Sequence, residues 1–198
     1  EAMGMVFWHP HGWRLYRTVQ SYMRRRLDAA GYVEVKTPEL IDRSLWESSG
    51  HWEKFREHMF TTKAEERILA LKPMNCPHHH MIYKAEPRSY RDLPLRLAEY
   101  GTCYRYEQSG ELAGLLRVRG MTMNDAHIYC APEQAKAEFI KVMNLHTEYY
   151  KLFGLSDFWM RLSLAEEDAG KFVDEPELWE KAETLVTEAM DGGGIPYE

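Results

Sequence analysis

The sequence predicts an α+β fold in which an antiparallel sheet is flanked by helices. Strand-like segments follow one another as hairpins, and amphipathic helical segments lie between them. The chain has 198 residues, 44% of them hydrophobic, which is enough to form a sizeable core. It contains no internal repeat, low-complexity tract or linker, so we expect a single domain over residues 1–198.

The first predicted helix runs from His11 to Ala30 and is ended by Gly31. The alternating segment 32–35 then predicts a strand, which Pro38 prevents from continuing. The apolar positions of the helix recur on one face, which we expect to meet the core: Leu15, Val19, Met23 and Leu27.

The rest of the chain continues the alternation of strands and helices. The middle part predicts, in order, short helices and turns over 44–58, paired strands at 59–61 and 68–71, a loop over 72–77 and a helix over 78–85. The last part predicts a strand over 122–129, a helix from Pro132 to Gly154, a strand within 156–164 and an amphipathic helix over 176–190.

Charge and cysteine content narrow the class of protein. A net charge of −6 argues against a protein that coats nucleic acid, although a local basic patch is enough to bind one. Three unevenly spaced cysteines indicate a reducing compartment. No apolar stretch approaches the roughly 20 residues that span a bilayer. We therefore expect a cytoplasmic protein without membrane or DNA partners; a cleaved organelle transit peptide would leave no trace.

Residues 93–129 carry the most informative pattern, two strands joined by a loop that holds Arg105, Glu107, Arg117 and Arg119. The guanidinium fork of arginine matches pairs of phosphate oxygens. Glu107, two residues along the strand, points to the same face as Arg105. Such a pair suits a nucleotide, which has both phosphates and donor groups. The alternative is a cross-strand ion pair on a solvated hairpin.

The Arg105-x-Glu107 pattern and its loop resemble motif 2 of the class II aminoacyl-tRNA synthetases. Over essentially the whole chain, the surrounding segments are similar to the threonyl-tRNA synthetases in particular: Met5–Pro10, Arg43–Trp46, Ser49–Trp52, Lys72–Pro77, Leu93–Glu99 and Asn124–Ile128. The resemblance implies the front part of a class II catalytic domain, with motif 1 at about 11–38 and motif 2 at about 96–123. It also implies a homodimer whose interface includes Pro38, the matching residue of motif 1.

The activity that this resemblance implies is activation of threonine by ATP to threonyl-adenylate, followed by transfer to tRNA(Thr). Arg105 is then the catalytic residue, because it binds the α-phosphate and the threonine carboxylate. Glu107 reads the adenine amino group, and Arg117 faces the outer phosphates together with Mg²⁺. Met121 stands where relatives often stack a Phe on adenine, and packs there more softly.

The threonine site follows from the same resemblance. Its expected residues are Met74, Cys76, Arg105, Met123, Asp125 and His127. Asp125 matches the family's contact to the threonine ammonium, and Met123 stands where many relatives carry Gln.

The resemblance also implies a zinc ion held by Cys76 and His127. Chelation by an amine and a neighbouring hydroxyl would select threonine over valine, which an apolar pocket distinguishes poorly. The family's third ligand, a His, and motif 3 would lie beyond Glu198. His78 falls where some relatives carry a second Cys and is a further candidate ligand.

Two alternatives remain open at the level of sequence. A synthetase-like paralogue could bind a nucleotide, an amino acid or a partner without catalysis, and the absence of motif 3 favours it. The chain could also be a partial copy of a longer enzyme. In either case, this chain alone is expected to be inactive. The other alternative is a seryl- or prolyl-tRNA synthetase, which the Cys76–His127 pairing disfavours.

Overall fold

A computed structural model describes residues 2–164, 175–194 and 196–198. The chain divides into two compact units, residues 1–128 and 129–198. The mixed α/β architecture, with small sheets flanked by helices, confirms the predicted fold class. The single-domain assignment for 1–198 stays a prediction.

The regular elements agree closely with the predicted order. In the described part of the chain the helices are α1 (Pro10–Ala29), α2 (Arg43–Ser48), α3 (His51–Phe55), α4 (Cys76–Lys84), α5 (Pro132–Leu152) and α6 (Pro176–Gly192). The strands are β1 (Val33–Glu34), β2 (Leu40–Asp42), β3 (Thr61–Ala64), β4 (Arg67–Leu71), β5 (Leu95–Tyr104) and β6 (Gly120–Tyr129).

The larger strands of the first unit form a three-stranded sheet in the order β1-β5-β6. Strands β5 and β6 are neighbours, and the amide of Arg105 donates to the carbonyl of Arg119 at 2.9 Å where the hairpin loop begins. Strand β1 pairs with β5 in parallel, with Val33 opposite Leu97. The sequence predicted the hairpin but not the parallel pair.

Helix α1 ends where the sequence predicted. Gly31 follows it with φ +77°, a conformation that favours glycine, and the amide of Tyr32 donates back to the carbonyl of Leu27. Arg24 then joins the helix to β1 through a two-pronged ion pair with Glu34, whose shortest distance is 2.8 Å.

The predicted core face of α1 is only partly correct. Leu27 is buried, but Val19 and Met23 are half-buried and Leu15 is 68% exposed. Helical spacing identifies an apolar face, but it does not tell what covers that face.

The second sheet is antiparallel, in the order β2-β4-β3, and packs against the buried indole of Trp46. Met59 and Ala70 complete this small core. The predicted hairpin between β3 and β4 is confirmed. Its two turn residues, Glu65 and Glu66, both have positive φ, which matches the twist of the flanking strands.

The second unit contains the long helices α5 and α6, which contact each other. Lys136 of α5 and Glu188 of α6 form an ion pair at 3.1 Å. The strand predicted within 156–164 is wrong: in the described residues this segment makes only an isolated bridge between Met160 and Tyr197. None of the described helices has the length and apolar character that a bilayer crossing requires.

Candidate active site

A fully buried carboxylate, Glu99 in the middle of β5, organises the first unit. Its Oε1 accepts from the Lys72 ammonium at 3.0 Å and from the Thr37 amide at 2.8 Å. Its Oε2 lies 2.9 Å from the Thr37 hydroxyl and 3.1 Å from Nε2 of His79. The side chains of Glu99, Lys72 and His79 have no exposed surface. Four segments of the chain therefore meet at one carboxylate.

The balance of interactions keeps Glu99 ionised. Burial alone would raise the pKa of this carboxyl, but the hydrogen bonds from Thr37 and Lys72 together outweigh it and leave the pKa lowered. A buried ion pair is strongly destabilised when either partner is removed, because the remaining charge is left unpaired. Glu99 and Lys72 therefore depend on each other.

The cluster reaches β6 through two histidines. Nδ1 of His79 lies 2.9 Å from Nδ1 of His127. A carboxylate only accepts hydrogen bonds, so Nε2 of His79 donates to Glu99. With one proton on each ring, His127 donates its Nδ1–H to His79, and Nε2 of His127 then carries a lone pair. Burial lowers the pKa of His127, although the negative charge of Asp125 acts to raise it.

Strand β6 presents the predicted residues on one face. From Met121 to His127 its residues alternate between half-buried and exposed, as strand geometry requires. The half-buried positions are the predicted ones: Met121, Met123, Asp125 and His127. Asp125 accepts a hydrogen bond at 3.1 Å from the amide of Asn75, which lies just before α4.

Arg105 lies at the start of the hairpin loop and is half-buried. Its Nε donates to the carbonyl of Pro73 at 3.2 Å. Strand β5 ends at Tyr104, so the expectation that strand alternation places Arg105 and Glu107 on one face is wrong. The amide of Glu107 instead turns back to the carbonyl of Arg105 at 2.9 Å.

The other hairpin residues surround Glu107. Its carbonyl accepts from Nε of Arg119 at 2.9 Å, and its carboxylate lies 3.7 Å from Arg117. The guanidinium of Arg119 also lies over the ring of Tyr106. The side chain of Glu107 is only 16% exposed, whereas that of Arg117 is 54% exposed. Arg117 can therefore move to an incoming anion, whereas Glu107 is largely enclosed.

Two of the described residues, Cys76 and His127, have side chains of the kind that bind metal ions. Cys76 is the first residue of α4 and is half-buried; burial and, to a lesser extent, Asp125 raise the pKa of its thiol. Nε2 of His127 offers a lone pair. No group of three His, Cys, Asp or Glu side chains in the described segments is arranged to hold a metal ion. Cys76 and His127 therefore have the donor chemistry of zinc ligands, and the described residues do not complete a site.

The predicted ligand candidate His78 faces the other way. Its ring packs 5.5 Å from that of Trp46 in the second core, and His79 is the residue that meets His127. His78 is 3% exposed, and neither ring nitrogen has a hydrogen-bond partner.

The remaining predicted residues lie around this centre. Met74 is half-buried, in the loop that begins at Lys72. Met121 lines a cavity of about 400 Å³ together with Tyr104 and Val118. Pro38 is exposed directly after Thr37, the residue held by Glu99.

Sequence analysis missed the residues that support the site: Thr37, Lys72, Asn75, His79 and Glu99. One signal was available for Glu99. It lies on the same face of β5 as Leu97, Gly101 and Cys103, all of which are buried, so its charge required a buried partner. No local pattern indicates that the partner is Lys72.

Comparison with known proteins identifies clear relatives of this chain. Residues 60–191 match the tRNA synthetase class II core domain (G, H, P, S and T). The chain is 52% identical to a threonine–tRNA ligase of Maricaulis maris and 51% identical to one of Hahella chejuensis, each over all of this chain and 31% of the relative. This chain thus spans about a third of the length of these relatives.

The fold also matches a solved structure. The RNA binding domain of threonyl-tRNA synthetase from Cryptosporidium parvum superimposes with a TM-score of 0.91 at 37% identity, over 99% of this chain and 48% of that one.

The burial of His78 makes stability depend on pH. Burial, with a smaller contribution from the charge of Lys72, lowers the pKa of His78 to about 4. The unfolded chain protonates near pH 6.5 and the folded one only near 4, so stability is lost as pH falls between these values. We expect His78→Leu to remove up to about 3 kcal/mol of this pH dependence.

Urea unfolding from pH 7 to 4 measures this effect. His58→Leu, at an exposed position, is the matched control, and its free energy of unfolding should change with pH as in the wild type. If the free energy of unfolding of His78→Leu also changes with pH as in the wild type, the buried imidazole is not the titrating group.

Proposed function

We propose that this chain, which belongs to the class II core family of tRNA synthetases, carries the threonine- and ATP-binding centre of a threonine–tRNA ligase. One observation carries the proposal. The short loop after Lys72 holds Arg105 through the carbonyl of Pro73 and Asp125 through the amide of Asn75. A cation for a phosphate and an anion for an ammonium group are thus fixed by neighbouring residues of one loop.

Arg105 is the proposed catalytic residue of adenylate formation. The threonine carboxylate attacks the α-phosphate of ATP, pyrophosphate leaves, and no covalent bond to the enzyme is needed. Charge accumulates on the phosphate oxygens during this step, and a guanidinium held in advance stabilises it without reorganisation. The contact to Pro73 uses Nε, and the guanidinium has two further nitrogens that can donate to phosphate oxygens.

The rest of the hairpin is proposed to bind ATP. Glu107 would accept from the adenine amino group, and Met121 would pack against the base. Arg117 would exchange its 3.7 Å contact with Glu107 for the outer phosphates, which Mg²⁺ also neutralises. The exposure of Arg117 supports this exchange, since a surface ion pair is weak.

Threonine is proposed to lie beside β6. Asp125 would bind its ammonium group, and Met74 and Met123 would contribute apolar contacts. The alternation of β6 supports this placement, because Met123, Asp125 and His127 share one face. In the complete ligase the threonyl group would then pass to tRNA(Thr).

We also propose that the complete protein binds one zinc ion through Cys76 and His127, with a further ligand from outside the described residues. The ion would supply a Lewis acid that a vicinal amine and hydroxyl can chelate. The hydrogen bond from His127 to His79 supports this role, because such contacts orient metal-binding imidazoles.

A homodimer through α1 and Pro38 is proposed as well. The start of α1 and the segment before it expose large apolar side chains, which is unusual for a free surface: Phe7, Trp8, Trp13 and Leu15. In a two-fold dimer each such patch meets its own copy.

We propose a cytoplasmic location, supported by three cysteines of which none forms a disulfide.

ATP–pyrophosphate exchange tests the proposed activity and the role of Arg105. We expect exchange that depends on threonine in the full-length protein, and Arg105→Ala should lower it by on the order of 100-fold or more, because a transition-state charge contact is lost. Arg67→Ala, at an exposed position in β4, is the control. Exchange with serine or proline, or no exchange with any amino acid, would contradict the proposal.

Metal analysis tests the zinc proposal. The full-length protein should contain about one zinc per chain, and Cys76→Ala or His127→Ala should lose it. Cys130→Ala, at a half-buried cysteine of the second unit, should retain the metal. Full zinc content in Cys76→Ala would refute the proposed ligands.

Light scattering at micromolar concentration tests the dimer. Leu15→Glu should shift the protein toward the monomer, because a charge cannot be buried in an apolar interface without a partner. Leu152→Glu, at a similarly exposed leucine of α5, should leave the oligomeric state unchanged. A well-folded wild-type monomer with full exchange activity would contradict the assignment.

A further inference from the structure

Asn75 is a fully buried amide whose two ends have different partners. Its Nδ2 donates to Oδ2 of Asp125 at 3.1 Å, and its Oδ1 lies 3.6 Å from the thiol sulfur of Cys103. Asn75 immediately precedes α4, and its own side chain does not cap that helix. The amide is therefore used for contacts across the fold and not for local structure.

The thiol of Cys103 determines which way the amide points. Burial raises the pKa of this thiol to about 11, so the sulfur keeps its proton. A protonated thiol donates weakly to the amide oxygen, and the amide nitrogen is then directed at Asp125. A flipped amide would lose the contact to Asp125, because a carboxylate cannot donate to an oxygen.

Gly101 of β5 provides the space for this amide. A Cβ at position 101 would lie 2.2 Å from Oδ1 of Asn75 and within 2.8 Å of the other two amide heavy atoms. No side chain fits there unless Asn75 moves. The φ of Gly101 is not in the left-handed region, so space and not backbone conformation excludes other residues.

We propose that Asn75, given room by Gly101, is a positioning residue that orients the carboxylate of Asp125 toward the threonine ammonium group. The inference rests on the proposed function. Asn75 engages Oδ2 of Asp125, which leaves Oδ1 as the oxygen that meets the ligand. Asn75 thereby fixes the carboxylate in advance, so that binding threonine does not require the carboxylate to be ordered.

Asn75→Asp separates a hydrogen-bond donor from a space-filling side chain. Aspartate has the shape of asparagine but presents only oxygens to Asp125. In pyrophosphate exchange by the full-length protein we expect kcat/KM for threonine to fall on the order of 100-fold, because a misplaced contact group costs this much. KM for ATP should stay within about twofold of the wild-type value. Equal loss for both substrates, or no loss, would overturn the inference.

Gly101→Ala provides a second test in which Asn75 itself is intact. The added methyl group displaces the amide, so the same selective loss toward threonine is expected. Gly192→Ala is the matched control, since a Cβ there would lie 4.0 Å from the side chain of Lys136, an ordinary contact, and it should behave as wild type.

Crystal structures of Asn75→Asp and Gly101→Ala give a readout that does not depend on activity. The inference predicts that the Asp125 carboxylate rotates in both. An unchanged carboxylate in both variants overturns the inference even where the wild type activates threonine. A rotated carboxylate in a protein that does not exchange with threonine would instead refute the proposed function.

Discussion

The structure of the first unit depends on the need to pair one buried charge. Glu99 has no exposed surface, and an ionised carboxylate in such a place is tolerated only when its oxygens are fully engaged. Lys72, Thr37 and His79 meet that need, and they come from three other segments of the chain. Glu99 therefore holds three segments at fixed positions relative to β5: Lys72 directly after β4, Thr37 directly before Pro38, and His79 in α4.

The candidate site is built outward from this cluster. Lys72 begins the loop whose next residues, Pro73 and Asn75, hold Arg105 and Asp125. The backbone gives a second tie, because the carbonyl of Lys72 accepts from the amide of Tyr104 at the end of β5. His79 continues the cluster to His127. The groups proposed to meet phosphate and ammonium thus depend on Glu99 without contacting it.

Local signals in the sequence predicted much of this fold. The end of α1 at Gly31 and the alternation of β6 follow from short-range chemistry. The parallel pairing of β1 with β5 did not, because Val33 and Leu97 are far apart in the chain and share no local pattern. The predicted strand within 156–164 failed for a related reason, since its pairing in the described residues is limited to the single bridge from Met160 to Tyr197.

The site was predicted less completely than the fold. Resemblance to a family identified Arg105, Asp125 and His127, but their supporting contacts are long-range. His78 and His79 show the limit clearly. They are adjacent in sequence, yet about 100° apart around a helix, so that one packs on Trp46 and the other joins Glu99 to His127. Sequence alone did not distinguish them, because both are histidines in the same segment.

A double-mutant cycle on Lys72 and Glu99 tests the central claim most directly. The free energy of unfolding would be measured for Lys72→Met, Glu99→Gln and the double variant. Each single change should cost about 3–5 kcal/mol, because it leaves a buried polar group without its partner. The double variant should cost less than the sum by about 1–3 kcal/mol. Additive effects, within about 0.5 kcal/mol, would show that the pair does not hold the fold together.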